Sequence, residues 1–132
     1  MIEKLTHVTV LVRNFEEALN FYTNKLGFVK VRDVGQGAAR FLSVAPQGQG
    51  PEIVLLEPNP ARGGEAGAKL MTSLIGKGPM TIFKVDNCRK TCEELKQKGV
   101  TIIQQPGKSP FGIQAVIADL YGNQLVLVEY PR

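Results

Sequence analysis

The sequence predicts an α+β fold built from two tandem βαβββ modules. Short strands of period two alternate with amphipathic helices that begin at asparagine and stop at glycine. The pattern occurs twice: His7 and Asn14 return as Met80 and Asn87 after 73 residues, and Gly27 and Glu57 return as Gly99 and Glu129 after 72. At 132 residues the chain makes one ordinary domain, but neither half can support a good core alone. The sheets of the two modules must therefore pair, within the chain or across a dimer. The expected organisation is a single domain, 1–132, with residues 1–58 as the first module, 59–78 as a linker and 79–132 as the second.

Each element has its own signal. Thr6 to Arg13 alternates, with Val8, Val10 and Val12 on one face and His7, Thr9, Leu11 and Arg13 on the other. β-branched residues at period two read as a strand with one buried face. Asn14 with Glu17 three residues later is a capping pair. Phe15, Ala18, Leu19, Tyr22 and Leu26 then recur at helical spacing up to Gly27, a helix stop. Phe28 to Val34 and Ala38 to Ala45 are strands joined at Gly35-Gln36-Gly37, and Ile53 to Glu57 is the fourth strand. Pro58 to Gly78 is rich in Gly and Pro, with a short helix around Ala66 to Leu74; it is a linker and a candidate lid. Met80 to Val85 opens the second module. Asn87 caps a helix whose buried stripe is Cys88, Cys92 and Leu95, and Gly99 ends it. Val100 to Gln104, Gly112 to Asp119 and Leu125 to Glu129 are the remaining strands, with Gln105 to Pro110 as a loop.

Composition narrows the function classes. Hydrophobic residues make up 43% and charged residues 21%, the balance of a globular domain. No apolar run nears the roughly 20 residues that span a bilayer, and the N-terminus lacks a signal-peptide core. Two cysteines without a secretory signal argue against a disulfide scaffold. A soluble, cytoplasmic protein is expected. The net charge is +4 and the pI about 9.2, which mildly favours an anionic ligand. The basic residues are scattered and Trp is absent, so no nucleic-acid partner is expected. Cys88 and Cys92 are spaced i, i+4 and lack the Cys-x-x-Cys redox spacing, so they read as a buried helix face. The glycine pairs lack a strand–glycines–helix context, and no Gly-x-Ser-x-Gly elbow occurs.

The tandem βαβββ repeat resembles the vicinal-oxygen-chelate superfamily, which includes glyoxalase I, extradiol dioxygenases and bleomycin-resistance proteins. Asn14 to Phe28 resembles the family's first helix, with its Ala-x-x-Phe-Tyr-x-x-x-Leu-Gly-Phe signature. Val85-Asp86-Asn87 is similar to the start of its second helix. Asp119-Leu120-Tyr121-Gly122-Asn123 resembles its Asp-Pro-Asp-Gly-Asn turn. The resemblance implies a curved, mostly antiparallel sheet around a cavity, with helices on the outer face, and a homodimer.

It also implies a metal site with up to four ligands, two from the first strands of the modules and two from the fourth. The first-strand positions here are His7 and Met80; a thioether is a poor partner for hard or borderline divalent cations. The fourth-strand positions are Val54 and Val126. Glu57 and Glu129 lie three residues further on, so they point to the opposite face. One ligand of four remains, where metal catalysis normally uses three protein ligands and an open position. No metal and no other cofactor is expected, and no catalytic residue is assigned. His7, the only histidine, is a candidate general base or hydrogen-bonding partner for a ligand.

Strand parity assigns His7, Thr9 and Leu11, Val54 and Leu56, Met80 and Ile82, and Val126 and Val128 to the cavity. Arg40 and Phe41 are both candidates for the inward face. Phe111 resembles a position where related binding proteins place an aromatic residue at the cavity mouth. The lining is mostly apolar and suits a small apolar or aromatic molecule, with Arg40 available to an anionic group. The expected function is metal-independent binding of a small organic ligand, on the model of bleomycin resistance; the basic pI disfavours cationic bleomycin itself. The enzyme alternative is a divalent-metal lyase, isomerase or transferase with an unusual ligand set. A third reading is an interaction module with a filled cavity.

Overall fold

Val8 and Val10 lie within β1 (His7–Leu11), and Val12, fully buried, follows directly. The computed structural model describes all residues, Met1–Arg132. By contacts the chain forms two units, Met1–Gly78 and Pro79–Arg132. In the first, the Asn14 side chain accepts a hydrogen bond from the Glu17 amide at 2.8 Å and starts α1 (Phe15–Asn20). The helix then widens into a π turn over Phe21–Lys25, rather than continuing as one α-helix to Leu26. Phe21 and Tyr22 are both buried there, beside Phe15 and Ala18. Gly27 ends the turn at φ +76.

Three strands and a second helix complete this unit: β2 (Val29–Val34), β3 (Phe41–Ala45), β4 (Glu52–Leu56) and α2 (Gly64–Leu74). The sheet order is β1-β4-β3-β2. β1 pairs with β4 in parallel, and the other two pairings are antiparallel. Leu42, Val44, Ile53 and Leu55 alternate onto one face and are buried. Burying each such side chain stabilises the fold by about 1.5–3 kcal/mol. β3 begins three residues later than the sequence suggests, because Gly37–Ala39 forms a 3₁₀ turn. Gly35 precedes it at φ +82, where a Cβ would lie 2.5 Å from the Ala39 carbonyl oxygen. The 59–78 segment belongs to this unit. Its Arg62 donates to the carbonyl oxygens of Ala38 and Arg40, tying it to the β2–β3 connection.

The second unit repeats the plan with β5 (Thr81–Lys84), α3 (Cys88–Gln97), β6 (Thr101–Ser109), β7 (Gly112–Ala118) and β8 (Gln124–Glu129). The order is β5-β8-β7-β6, again with only the first pair parallel. Asn87 caps α3 by accepting from the Lys90 amide at 3.0 Å. One expectation is corrected here. Of the expected loop at Gln105 to Pro110 only Pro110 lies in a turn, because β6 runs on through Pro106 to Ser109. Pro106 cannot donate to a ladder; it sits on an edge strand where the pairing register slips between Gln104 and Gly107. The Asp119 carboxylate closes the β7–β8 turn, accepting from the amides of Tyr121 and Asn123.

The two strand-end glutamates do the same job in each unit. Glu57 Oε2 accepts from the Phe15 amide at 2.7 Å, at the start of α1. Glu129 Oε1 accepts from the Cys88 amide at 2.8 Å, at the start of α3. Each carboxylate satisfies a helix N–H that has no partner within the helix.

Candidate functional site

In a ladder, residues paired across neighbouring strands share a face. His7 pairs with Glu52, Thr9 with Val54, and Leu11 with Leu56. Ser43 pairs with Val54 on one side and with Arg32 on the other. One face of the first sheet therefore carries His7, Thr9, Leu11, Arg32, Ser43 and Glu52 together with Phe41, Val54 and Leu56.

The polar members converge on Glu52. Its Oε1 accepts from the Ser43 hydroxyl at 2.7 Å and lies 3.3 Å from both Arg32 Nε and His7 Nε2. The Ser43 hydrogen bond, aided by Arg32 and His7, holds the Glu52 carboxyl below its usual value despite some opposing desolvation. His7 Nδ1 lies 2.9 Å from Thr6 Oγ1. Its Nε2 is buried without hydrogen-bonding geometry, so the approach to Glu52 is an electrostatic contact. The Phe41 ring meets the imidazole edge to face, with centroids 5.7 Å apart. A cleft of about 370 Å³ opens among Lys4, Thr6, His7, Arg32 and Glu52.

The same positions in the second unit carry different chemistry. Met80 and Gln124 stand where His7 and Glu52 do, one step before the paired Thr81 and Leu125. Val116, which pairs with Val126 and Gln104, takes the place of Ser43, and Gln104 that of Arg32. Val126 and Val128 pack with Val116 in a buried apolar cluster. Ile82 is exposed on edge strand β5, Met80 is exposed just before it, and Phe111 is exposed in the β6–β7 turn.

Arg40 is directed away from this face. It immediately precedes Phe41, so parity turns it to the α1 side. There it holds Asp33 through Nε at 2.8 Å and Nη2 at 2.9 Å, holds Glu16 through Nη1 at 2.5 Å, and lies 5.2 Å from the centre of the Phe15 ring. The Arg40 hydrogen bonds pull the Asp33 carboxyl below its usual value, and Asp33 and Glu16 raise the already high value of the guanidinium. Arg40, a candidate partner for a ligand's anionic group, thus lies on the opposite face, where three of its five N–H donors go to two carboxylates. Sequence reading passed over Glu52, Ser43 and Arg32. The parity of Glu52 with Val54 was a usable signal, but the convergence of the three needed the register.

The residues do not fit a divalent-metal site. No group of three or more His, Cys, Asp or Glu side chains is placed to hold an ion. His7 and Glu52 offer two donors, and the Glu52 oxygen nearest His7 is already engaged by Ser43 and Arg32. A catalytic site of this kind uses three.

The duplicated βαβββ plan defines a class, and comparison with known proteins agrees. Residues 4–127 match the Glyoxalase/Bleomycin resistance protein/Dioxygenase superfamily, and the chain belongs to it. It is 35% identical over 128 residues to the uncharacterized protein YurT of Bacillus subtilis (strain 168), spanning 96% of this chain and 98% of that protein. Among solved structures it is similar to UcmS2, with a TM-score of 0.84 and 39% identity over 96% of this chain and 98% of that one. It is also similar to TnmS3, an antibiotic binding protein from Streptomyces sp. CB03234, with a TM-score of 0.81 and 27% identity over 98% of both chains.

Proposed function

We propose that the protein binds a small organic molecule on the face of its first sheet, without a metal and as a homodimer. The carrying observation is the asymmetry between the units. Three polar side chains, His7, Arg32 and Ser43, gather at Glu52 in the first, on a face shared with Phe41, Val54 and Leu56, while the matching four positions of the second hold Met80, Gln104, Val116 and Gln124. A few convergent polar groups on an apolar surface suit a drug-sized ligand, and TnmS3 is an antibiotic-binding relative. Thr9 is proposed as further lining of this face, and Met80, Ile82, Phe111, Val126 and Val128 as candidate ligand contacts of the second unit considered by itself. The exposure of Ile82 on an edge strand, and of Met80 just before it, supports association with a second copy. Cys88 and Cys92 are free thiols, which accords with a reducing, cytoplasmic location.

Two measurements test this reading. Elemental analysis of untagged protein, beside His7→Ala, should find no stoichiometric metal in either. Near-stoichiometric Ni, Zn, Mn or Fe lost in the variant would overturn the metal-free reading in favour of a glyoxalase-type lyase, isomerase or transferase. A thermal-shift screen of small aromatic and anionic compounds should give saturable hits. A ligand at 100 times its Kd stabilises by about 2.7 kcal/mol, or roughly 8 °C in a domain of this size. A screen without hits would remove the binding function. A monomeric mass in solution would remove the homodimer.

A further inference from the structure

Glu52 indicates which polar group the ligand carries; the inference rests on the binding function proposed above. Ser43, Arg32 and His7 all address Oε1 of this carboxylate. Oε2 carries none of these contacts, although a carboxylate has about four acceptor sites in all. The side chain is 13% exposed and borders the cleft of about 370 Å³ with Lys4, Thr6, His7 and Arg32. These open lone pairs beside the cleft are available to a hydrogen-bond donor.

The flanking charges decide which donor. An ammonium group would meet Arg32 and Lys4. A carboxylate or phosphate would meet the Glu52 charge and bring no proton to Oε2. A neutral hydroxyl satisfies both constraints, because its proton goes to Oε2 while its oxygen accepts from a cation. Phe41, 37% exposed and already against His7, offers an apolar surface to the rest of the molecule.

We propose that Glu52 is the specificity-determining residue, and that the ligand presents a neutral hydroxyl, alcoholic or phenolic, on an apolar body. This departs from the anionic preference suggested by the basic pI, since Arg40 is committed to the opposite face.

The test is a matched series of 2-naphthol, 2-methoxynaphthalene and 2-naphthoate, titrated at neutral pH by calorimetry. The naphthol should bind about tenfold tighter than either of the others, the worth of one charge-assisted hydrogen bond. Glu52→Met removes the acceptor and should bring naphthol and methoxynaphthalene within about twofold of each other. If that variant does not fold, Glu52→Gln at nearly constant shape should cut the preference at least about threefold. Tightest binding by the naphthoate, or an unchanged preference in the folded variants, overturns the proposal. Failure of all three probes to bind also overturns it, and a hit elsewhere in the broad screen would then leave the binding function standing.

Discussion

Gly112 opens β7 at φ +133, and a Cβ built there would lie 2.1 Å from the Glu129 carbonyl oxygen and 3.1 Å from its carbon. Both neighbours are backbone at the end of β8, so relief requires the strand end itself to move. Gly112→Ala combines a backbone conformation that costs about 1–3 kcal/mol for other residues with an overpacking cost of about 1–3 kcal/mol. The expected total is about 3–4 kcal/mol, a large share of the roughly 5–15 kcal/mol that stabilises a domain. At a urea slope near 2 kcal/mol per molar, the midpoint should fall by about 1.5–2 M. Gly50→Ala is the matched control: its φ is +85 but nothing lies within 4 Å of the added Cβ. It should cost about 1 kcal/mol and shift the midpoint by about 0.5 M. The chain has no Trp, so far-UV circular dichroism is the suitable signal. A Gly112→Ala midpoint no lower than that of Gly50→Ala would refute the steric reasoning.

Removing either helix-capping carboxylate, by Glu57→Ala or Glu129→Ala, should cost about 1–2 kcal/mol; urea curves that match wild type would deny the caps any net role. Asp33 and Glu52 have folded values held down, chiefly by the Arg40 and Ser43 hydrogen bonds, so their stabilisation is complete above the unfolded carboxylate value of about 4 and is lost as pH falls through the folded values. Urea midpoints should therefore hold from pH 7 to about 5 and drop below about 4. Arg40→Ala should flatten that acid slope, and an unchanged slope would count against the Asp33 assignment. Burial pushes the Cys92 thiol up to about 11 and raises Cys88 as well. Ellman's reagent should thus find almost no fast thiol in the native protein and two after denaturation; rapid native labelling would show that α3 opens readily.

The repeat, the caps at Asn14 and Asn87 and the helix stops were legible because each is a local rule: periodicity, a side chain reaching its own N3 amide, a glycine at positive φ. That Glu57 and Glu129 face opposite to Val54 and Val126 was legible from parity once the family resemblance had singled out the two valines, and their hydrogen bonds to the Phe15 and Cys88 amides account for it. The path of β6 through Pro106 was not, since a proline normally ends a strand and only the slipped register of an edge accommodates it. Arg40 and Phe41 could not be separated until the 3₁₀ turn at Gly37–Ala39 set the phase of β3. Glu52 was missed for a different reason. It lies two residues before Val54 and shares its face, but Ser43 and Arg32 reach it from distant segments whose register the sequence does not state.

The capping glutamates divide the labour within the chain. They recur in both units, whereas His7, Arg32, Ser43 and Glu52 have no counterparts at Met80, Gln104, Val116 and Gln124. The helix latches and the polar cluster at Glu52 therefore reside in separate residues. The second unit is accordingly a ready host for transplantation. Met80→His with Gln124→Glu would place the His7–Glu52 pair one step before the second unit's first parallel rung and leave the Glu129 latch on α3 untouched.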